Sequence, residues 1–364
     1  MPGGGIGHQA SIWLAAAEAI AAGRRAAFAT VARKRGSLPM ASDAKMLVTA
    51  DGARWGTVGG GCLEADVTRQ ALATIETGSP ELVSHTLNAD IIGDLALSCG
   101  GTVELFLEPL PPEPRLAELC AAVGRALQTR QPVVVATALR WDNGPAKAVR
   151  IGDQSMGIDA TGRLLELIER YTWSPTRGSH HGRAGRVASA YLDRESEAFV
   201  EPISRVPRVT VFGAGHVGAA VAELAARSGF YVVVVDDRAE FANRERVPSA
   251  AEIVVEDFRS VLDRMVFDED DYVIAATRGH SFDAYIVERT ASSRAGYVGM
   301  LGSKRKRAVI WRALEAAGVD REALSRVRSP IGVEIGADTP EEIAVSVVAE
   351  LIRLRRLGSL EPAE

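Results

Sequence analysis

The sequence predicts a two-domain α/β protein whose carboxy-terminal half is a doubly wound parallel sheet. Short apolar strands alternate with helices after residue 207, as parallel sheets require. A glycine-rich turn follows the first of these strands. The length of 364 residues exceeds one ordinary domain. The segment EPISRVP, 201–207, separates this half from a different pattern, so we place an α/β domain at 1–200 and a second domain at 207–364.

The amino-terminal domain begins with a helix, followed by strands and a second helix. The segments AAFATVARKRGS and AKMLVTADGARWGTVGG predict strands, with Asp51–Gly52 as a hairpin turn. The second helix is expected from about Cys62 to Glu76, ended by Gly78.

The sequence of the rest of this domain predicts one more helix, with strands on either side of it. In TVELFLEPL, apolar and polar side chains alternate, which predicts a strand with one solvent-exposed face that carries Glu104 and Glu108. Next come a helix with Cys120 on its apolar stripe and strands around PVVVATAL and AKAVRIG. No internal repeat of fixed period is evident.

Composition and charge narrow the classes of partner. The net charge of −5 argues against nucleic-acid binding, which needs clustered Lys and Arg. Three cysteines without CxxC spacing suggest neither a disulfide framework nor a zinc site. No apolar run approaches the ~20 residues that span a bilayer, and the amino terminus lacks the basic region of a secretion signal. We expect a cytoplasmic homo-oligomer with small-molecule and protein partners and no membrane partner.

A nucleotide-type motif opens the carboxy-terminal domain. Gly213, Gly215 and Gly218 form G-x-G-x-x-G between a strand and a helix, and Asp236 and Asp237 end the next strand. In this context the glycines permit a tight turn and close approach of a pyrophosphate, and the acid accepts a ribose hydroxyl. The pattern predicts a Rossmann-like fold. It leaves open whether the ligand is NAD(P), used for oxidoreduction, or something else.

Other polar groups follow later strands of the same domain. Thr277, Arg278 and His280 come after DYVIAA, where ligands sit in open α/β sheets. GSKRKR, 302–307, carries four cations where a helix begins, and forms either a solvated face or an anion site. In the first domain, the basic loop SPTRGSHHGRAGR, 174–186, is either a mobile loop or an anion-contacting lid.

Two cysteines lie beside glycines. In GTVGGGCLEADV, 56–67, Cys62 starts a helix, and the helix dipole there favours a thiolate, which attacks sulfur and binds soft metals. Cys99, in LSCGGTVEL, precedes a glycine pair whose N–H groups can face a ligand. The alternative is that both are small buried side chains next to turns.

Together these segments resemble the XdhC/CoxI family of molybdenum-cofactor chaperones over nearly the whole chain. The resemblance is carried by RGSLP, AKMLVTADG, GTVGGGCLEADV and SCGGTVELFLEP in the first domain, and by VFGAGHVG, VDDR, GYVGMLGSKRKR and SPIGVEIGADTPEEIAVSVVAELI in the second. Met40 stands where the family usually has arginine, so an arginine contact to an anion is absent there.

The resemblance implies a chaperone more than an enzyme. Such a protein binds the molybdenum cofactor (molybdopterin), supports replacement of a molybdenum oxygen by sulfur from a cysteine desulfurase, and inserts the cofactor into an apo molybdenum hydroxylase of the xanthine dehydrogenase type. The resemblance and motifs together assign Cys62 and Cys99 as catalytic residues and metal ligands. They assign cofactor binding to Gly59, Gly60, Gly61, Glu64, Gly100, Gly101, Gly213, Gly215, His216, Gly218, Asp236, Asp237, Arg238, Thr277, His280, Ser303, Arg305 and Lys306.

Overall fold

The chain folds into two compact units, one of residues Gly7–Arg205 and one that begins at Val206. The computed structural model describes residues 6–36, 38, 40–87, 101–142, 144–171, 190–358 and 360. Within that part of the chain, no helix has both the length and the apolar character that crossing a membrane needs. The predicted loop at 174–186 lies outside the described residues.

The amino-terminal unit contains two five-stranded antiparallel sheets. The first sheet has the order β3-β2-β1-β5-β4, and the second has the order β8-β7-β6-β10-β9. The elements of the first half are α1 Ile6–Ala21, β1 Ala26–Gly36, β2 Lys45–Thr49, β3 Arg54–Gly56, α2 Gly61–Thr77, β4 Glu81–Leu87 and β5 Gly101–Leu110. Those of the second half are α3 Pro114–Gln128, β6 Val133–Ala138, β7 Lys147–Ile151, β8 Gln154–Gly157, α4 Arg163–Glu169, β9 Tyr191–Asp193 and β10 Ala198–Ile203.

The amino-terminal unit contains the same topology twice. Each half runs helix, three strands, helix, two strands, and the strand orders of the two sheets correspond one to one. Short sequence pieces correspond as well, as in the F-x-E-P sequences of β5 and β10, residues 106–109 and 199–202. The sequence showed no repeat because the halves match at few positions and at no short fixed period.

The two halves meet around two crossed ion pairs. Lys45 Nζ of the first half lies 2.9 Å from Glu201 of the second, and Lys147 Nζ of the second lies 2.9 Å from Glu108 of the first. Both lysine ammonium groups lie over the ring of Trp13, at 4.9 and 5.3 Å from its centroid. The prediction that Glu108 lies on a solvent-exposed face of β5 is therefore wrong. Glu108 is buried, and Lys147 neutralises its charge there.

The cores of the amino-terminal unit follow from this arrangement. One large apolar cluster joins α1, α3 and both sheets, and smaller clusters lie under α2 and under α4. Cys120 lies in the large cluster, as its place on the apolar stripe predicts, and burial raises the pKa of its thiol to about 12. The predicted hairpin turn at Asp51–Gly52 is confirmed between β2 and β3.

The carboxy-terminal unit is a six-stranded, fully parallel sheet, as the sequence predicted. The order β13-β12-β11-β14-β15-β16 is that of a doubly wound Rossmann-like fold. Its elements are β11 Arg208–Phe212, α5 His216–Arg227, β12 Tyr231–Asp236, β13 Glu252–Val255, α6 Phe258–Arg264, β14 Asp271–Ala275, α7 His280–Ala291, β15 Tyr297–Met300, α8 Lys304–Ala316, α9 Arg321–Ser325, β16 Val327–Arg328 and α10 Pro340–Leu357. Apolar clusters cover both faces of the sheet.

Candidate functional site

The first candidate site is the glycine turn that leads into α2. Gly59, Gly60 and Gly61 all have positive φ, at 128°, 76° and 63°. A Cβ on Gly59 would lie 2.9 Å from the Met40 side chain, whereas a Cβ on Gly60 or Gly61 would meet nothing within 4 Å. The turn therefore packs on one side and is open on the other.

Two side chains hold this turn in place. Gly60 N–H donates to the Glu64 carboxylate at 3.2 Å, and Gly59 N–H donates to the Thr57 hydroxyl at 3.2 Å. The Thr57 hydroxyl in turn donates to Glu64. Glu64, which the sequence assigned to cofactor binding, thus closes the turn from within α2, and the N-cap residue Gly60 supplies no side-chain cap.

The thiol of Cys62 is exposed on the first turn of α2. Met40 packs beside the turn in the core under α2, so this side chain fills apolar space. Lys34 Nζ donates to the Met40 carbonyl, which places a cation near the glycines. Sequence reasoning missed Lys34. The signal was the basic run 33–35 at the end of β1, which overlaps the RGSLP segment.

The second glycine motif is only partly described. Cys99 and Gly100 lie outside the described residues. Gly101 begins β5 and pairs with Gly36 of β1, and a Cβ on it would lie 2.7 Å from the Arg35 carbonyl. Close strand approach therefore requires this glycine. In the described ranges, no cluster of three or more His, Cys, Asp or Glu side chains is placed to hold a metal ion.

The second candidate site lies at the carboxyl end of the parallel sheet. Gly213 has φ 108°, and a Cβ on Gly218 would lie 1.9 Å from the Gly213 carbonyl oxygen, so α5 packs tightly against the turn. The N-cap of α5, Gly215, offers no side-chain cap. The first N–H groups of this helix are therefore available to an anion. His216 and His280 are exposed at the starts of α5 and α7.

The acid expected to bind ribose is engaged inside the fold. Asp236 is fully buried and accepts hydrogen bonds from Ala214 N at 2.8 Å and from the Arg238 guanidinium at 2.9 and 3.0 Å. Burial acts to raise the pKa of this carboxyl, but the hydrogen bonds from Arg238 and Ala214 N outweigh burial and lower it. Asp236 therefore stays ionised and fastens the glycine turn.

Asp237 is paired across the sheet edge. Its carboxylate forms a two-point ion pair with Arg278, with N–O distances of 2.9 and 2.8 Å. Asp237 follows β12 and Arg278 follows β14, and the glycine turn follows β11, which lies between those two strands. The pair therefore lies across the crevice that the motif predicted.

The remaining polar residues at this end of the sheet are either hydrogen-bonded within the fold or exposed to solvent. Asp283, which sequence reasoning missed, is fully buried and accepts from Thr277 N at 3.0 Å, from the Thr277 hydroxyl at 2.8 Å and from Lys306. The Ser303 hydroxyl caps α8 by accepting from Lys306 N. At the start of the same helix, Lys304 and Arg305 are exposed cations. Ser303 and Lys306 of the run GSKRKR are therefore bonded within the fold, and an anion site at the exposed Lys304 and Arg305 stays a prediction.

Comparison with known proteins gives the family. The model of the XdhC and CoxI family matches residues 19–86, and the XdhC Rossmann domain matches residues 209–351. The chain belongs to the XdhC and CoxI family. Together the two models match more than half of the chain, and they include both candidate sites.

Individual relatives agree with this family. The chain is 27% identical over 337 residues to a probable xanthine dehydrogenase subunit of Bacillus subtilis (strain 168), covering 91% of this chain and 93% of that protein. It is 24% identical to the molybdenum cofactor insertion chaperone PaoD of Escherichia coli (strain K12), covering 93% and 86%. A crystal structure described as that of a xanthine dehydrogenase from Bacillus halodurans matches with a TM-score of 0.74 and 26% identity, covering 94% of this chain and 95% of that one.

Proposed function

We propose that this protein binds the molybdenum cofactor and inserts it into a molybdenum hydroxylase of the xanthine dehydrogenase type. One observation carries the proposal: the exposed Cys62 thiol on the first turn of α2, after three glycines with an open side. Membership of the XdhC and CoxI family and the similarity to a cofactor insertion chaperone support it.

The chemistry of the glycine turn suits this cargo. The cofactor has a phosphate, a pterin and a molybdenum atom held by a dithiolene. The N–H groups at the start of α2 and the nearby Lys34 ammonium would hold the phosphate. Cys62 would provide a soft sulfur ligand or a carrier for the sulfur that a cysteine desulfurase delivers.

The test is activation of an apo hydroxylase by purified protein loaded with cofactor. Cys62→Ala and Cys62→Ser are expected to lower cofactor retention and activation together, because the thiol is lost and the turn is kept. Arg163→Ala, at the start of the corresponding helix α4, is the matched control and is expected to leave both unchanged. Wild-type retention and activation in both Cys62 variants would remove the thiol from the function.

A second experiment identifies the cargo directly. The protein is purified from a molybdenum-replete host and its bound small molecules are analysed by mass spectrometry. We expect a molybdopterin species in wild-type protein and less of it in Cys62→Ala. Protein that carries no pterin from such a host, and that does not stimulate the hydroxylase, would contradict the proposed function.

A second candidate function is NAD(P)-dependent oxidoreduction. The parallel strand order and the glycine turn before α5 favour it. The two carboxylates expected to receive ribose hydroxyls are engaged by Arg238 and Arg278, which counts against a dinucleotide held by its ribose. Titration with NAD and NADP, followed by thermal unfolding and substrate turnover, decides between the two.

A further inference from the structure

The Asp237–Arg278 ion pair lies where a ligand of the parallel sheet has to enter. In a doubly wound sheet, ligands bind outside the carboxyl ends of the strands where the strand order reverses, and here that point lies between β11 and β14. Strands two places apart are separated by about 10 Å, so a pair joining the ends of β12 and β14 must cross the end of β11. A phosphate at the start of α5 would lie beside this pair.

The acids that follow β12 are both engaged, so this edge of the crevice offers cations and N–H groups to a ligand. Asp236 is buried and saturated by Ala214 N and Arg238, and Asp237 is occupied by Arg278. A ribose diol is ordinarily recognised by a free carboxylate at the end of β12. This edge offers a phosphate the uncapped N–H groups of α5 and, once it is released from Asp237, the Arg278 guanidinium.

Arg278 can change partners at small cost. Its side chain is 44% exposed and that of Asp237 is 27% exposed, and ion pairs this accessible to water contribute little net stability. A guanidinium binds a phosphate with the same two-point geometry as a carboxylate. The ring of Phe282 lies 5.7 Å from the Arg278 guanidinium carbon and would keep it near the crevice after release.

A second cation, Arg238, also lies near the Asp237 carboxylate. Its carboxylate already lies 3.8 Å from Arg238 Nε, so the loss of Arg278 would leave it near a positive charge. Arg238 is itself fixed by Asp236 and stacks 3.8 Å from the centre of the Phe241 ring. Once a phosphate has taken Arg278, Asp236 and Asp237 would share the Arg238 guanidinium, so Asp237 would keep part of its neutralisation.

We propose that the Asp237–Arg278 pair is a latch that a phosphate-bearing ligand opens, with Arg278 leaving the Asp237 carboxylate to bind the ligand's phosphate. The crevice then selects ligands by their phosphate and not by a ribose diol. This inference concerns the carboxy-terminal unit alone. It holds or fails independently of whether the protein inserts a molybdenum cofactor.

The test is calorimetric titration of the full chain with inorganic pyrophosphate and with ADP, using adenosine as the phosphate-free probe. Arg278→Gln is expected to weaken phosphate binding about tenfold, as the loss of a charge-assisted contact does. Asp237→Asn is expected to strengthen it several-fold, because the competing carboxylate is gone. The double variant should bind like Arg278→Gln, and adenosine should bind to none of them.

The opposite signs separate a latch from a merely structural pair, for which both single variants would weaken binding. Asp263→Asn, which breaks the exposed Arg289–Asp263 pair, is the matched control and should change no affinity. Binding seen only in Asp237→Asn also supports the latch, since the closed pair then excludes the probe. Weaker binding in Asp237→Asn, unchanged binding in Arg278→Gln, or no binding of either phosphate probe to wild type and Asp237→Asn overturns it.

Discussion

The two halves of the amino-terminal unit have one topology but different helix starts. In the first half, α2 begins at the third of three consecutive glycines, with a thiol exposed on its first turn. In the second half, the corresponding helix α4 is closed by Asp159, which accepts from Leu164 N at 2.7 Å and Thr161 N at 3.0 Å. The Asp159 carboxylate thus accepts from an N–H of the first turn of α4, whereas Glu64 accepts only from the N-cap Gly60 N–H, so the first-turn N–H groups of α2 have no side-chain cap and are left to a ligand.

What the halves share is equally informative. Lys45 and Lys147 occupy equivalent strand positions, bond to the equivalent hydroxyls of Thr30 and Thr137, and each reaches the glutamate of the opposite half. A buried charge without its partner is strongly unfavourable, so each half supplies what the other needs. The two halves thus share the contact that joins them and differ at their helix starts.

The largest expected effect is on the crossed ion pairs. Replacing Glu108 by Gln leaves the Lys147 ammonium buried without a counter-charge, and is expected to lower the free energy of unfolding by about 3–5 kcal/mol. Glu201→Gln should cost a similar amount through Lys45. Urea unfolding followed by circular dichroism measures both. Glu76→Gln, which breaks the exposed pair with Arg25, is the control and should cost less than about 1 kcal/mol.

The equivalence of the crossed pairs can be tested further with Glu108→Leu/Lys147→Met. Removing both charges should recover most of the stability that the single change loses, because no charge stays buried alone. A single Glu108→Gln loss as small as that of Glu76→Gln would show that the pairs do not hold the halves together.

A smaller effect is expected at the glycines that cap the two helices. Gly60 and Gly162 have φ of 76° and 72°, and a Cβ on either would meet no atom within 4 Å. Gly60→Ala and Gly162→Ala should each cost about 1 kcal/mol by backbone strain alone. Only Gly60→Ala should reduce cofactor retention, measured on protein from the molybdenum-replete host. Equal loss of retention in both variants would mean that the open turn has no special role.

The hydrogen bonds that Asp159 accepts at the start of α4 are expected to give a pH-dependent difference of similar size in the free energy of unfolding between wild type and Asp159→Asn. Burial acts to raise the pKa of Asp159, but hydrogen bonds from Leu164 N and Thr161 outweigh it, so the pKa is lowered on folding. The ionised cap therefore stabilises the fold above the unfolded-state pKa of about 3.9, and this contribution is lost as pH falls through the folded-state pKa. Asp159→Asn should be less stable than wild type at pH 7, by at most about 1 kcal/mol.

That difference is measured by urea unfolding at intervals from pH 7 to pH 3, and it should shrink at the acidic end. Asp153→Asn, an exposed residue of the same half, is the control. A gap between Asp159→Asn and wild type that stays constant over this range would show that ionised Asp159 does not close α4.

The last prediction involves no loss of stability and compares the reactivity of the Cys62 and Cys120 thiols in the folded protein. Iodoacetamide at pH 8 should modify Cys62, which is exposed, and leave Cys120 unmodified until urea unfolds the protein, because Cys120 is buried and its pKa is raised to about 12. Peptide mass spectrometry assigns the modified site. Modification of Cys120 in folded protein at the rate of Cys62 would contradict the buried position.

Much of the fold of this protein was predictable from local patterns in its sequence. Apolar strands separated by helices predicted the parallel sheet, and Gly213, Gly215 and Gly218 predicted its first turn. Burial on both faces gives each such strand a continuous apolar run, and only glycine permits the Gly218 contact with the Gly213 carbonyl. The start of α2 at the Cys62 motif was predicted for the same reason, because positive φ and a helix start are local properties.

The tertiary structure decided which polar side chains are free. Glu108 has the sequence context of a solvated strand residue, yet Lys147, 39 residues away, makes it part of a core. Asp236 has the context of a ribose ligand, yet Arg238 and the glycine turn saturate it, and Arg278 occupies Asp237. Sequence by itself determined where strands and turns lie and that a thiol starts α2, since backbone sterics and apolar periodicity act over a few residues; that the thiol is exposed came from the structure. The pairing of charges depends on which distant segments meet, and only the folded chain determines that.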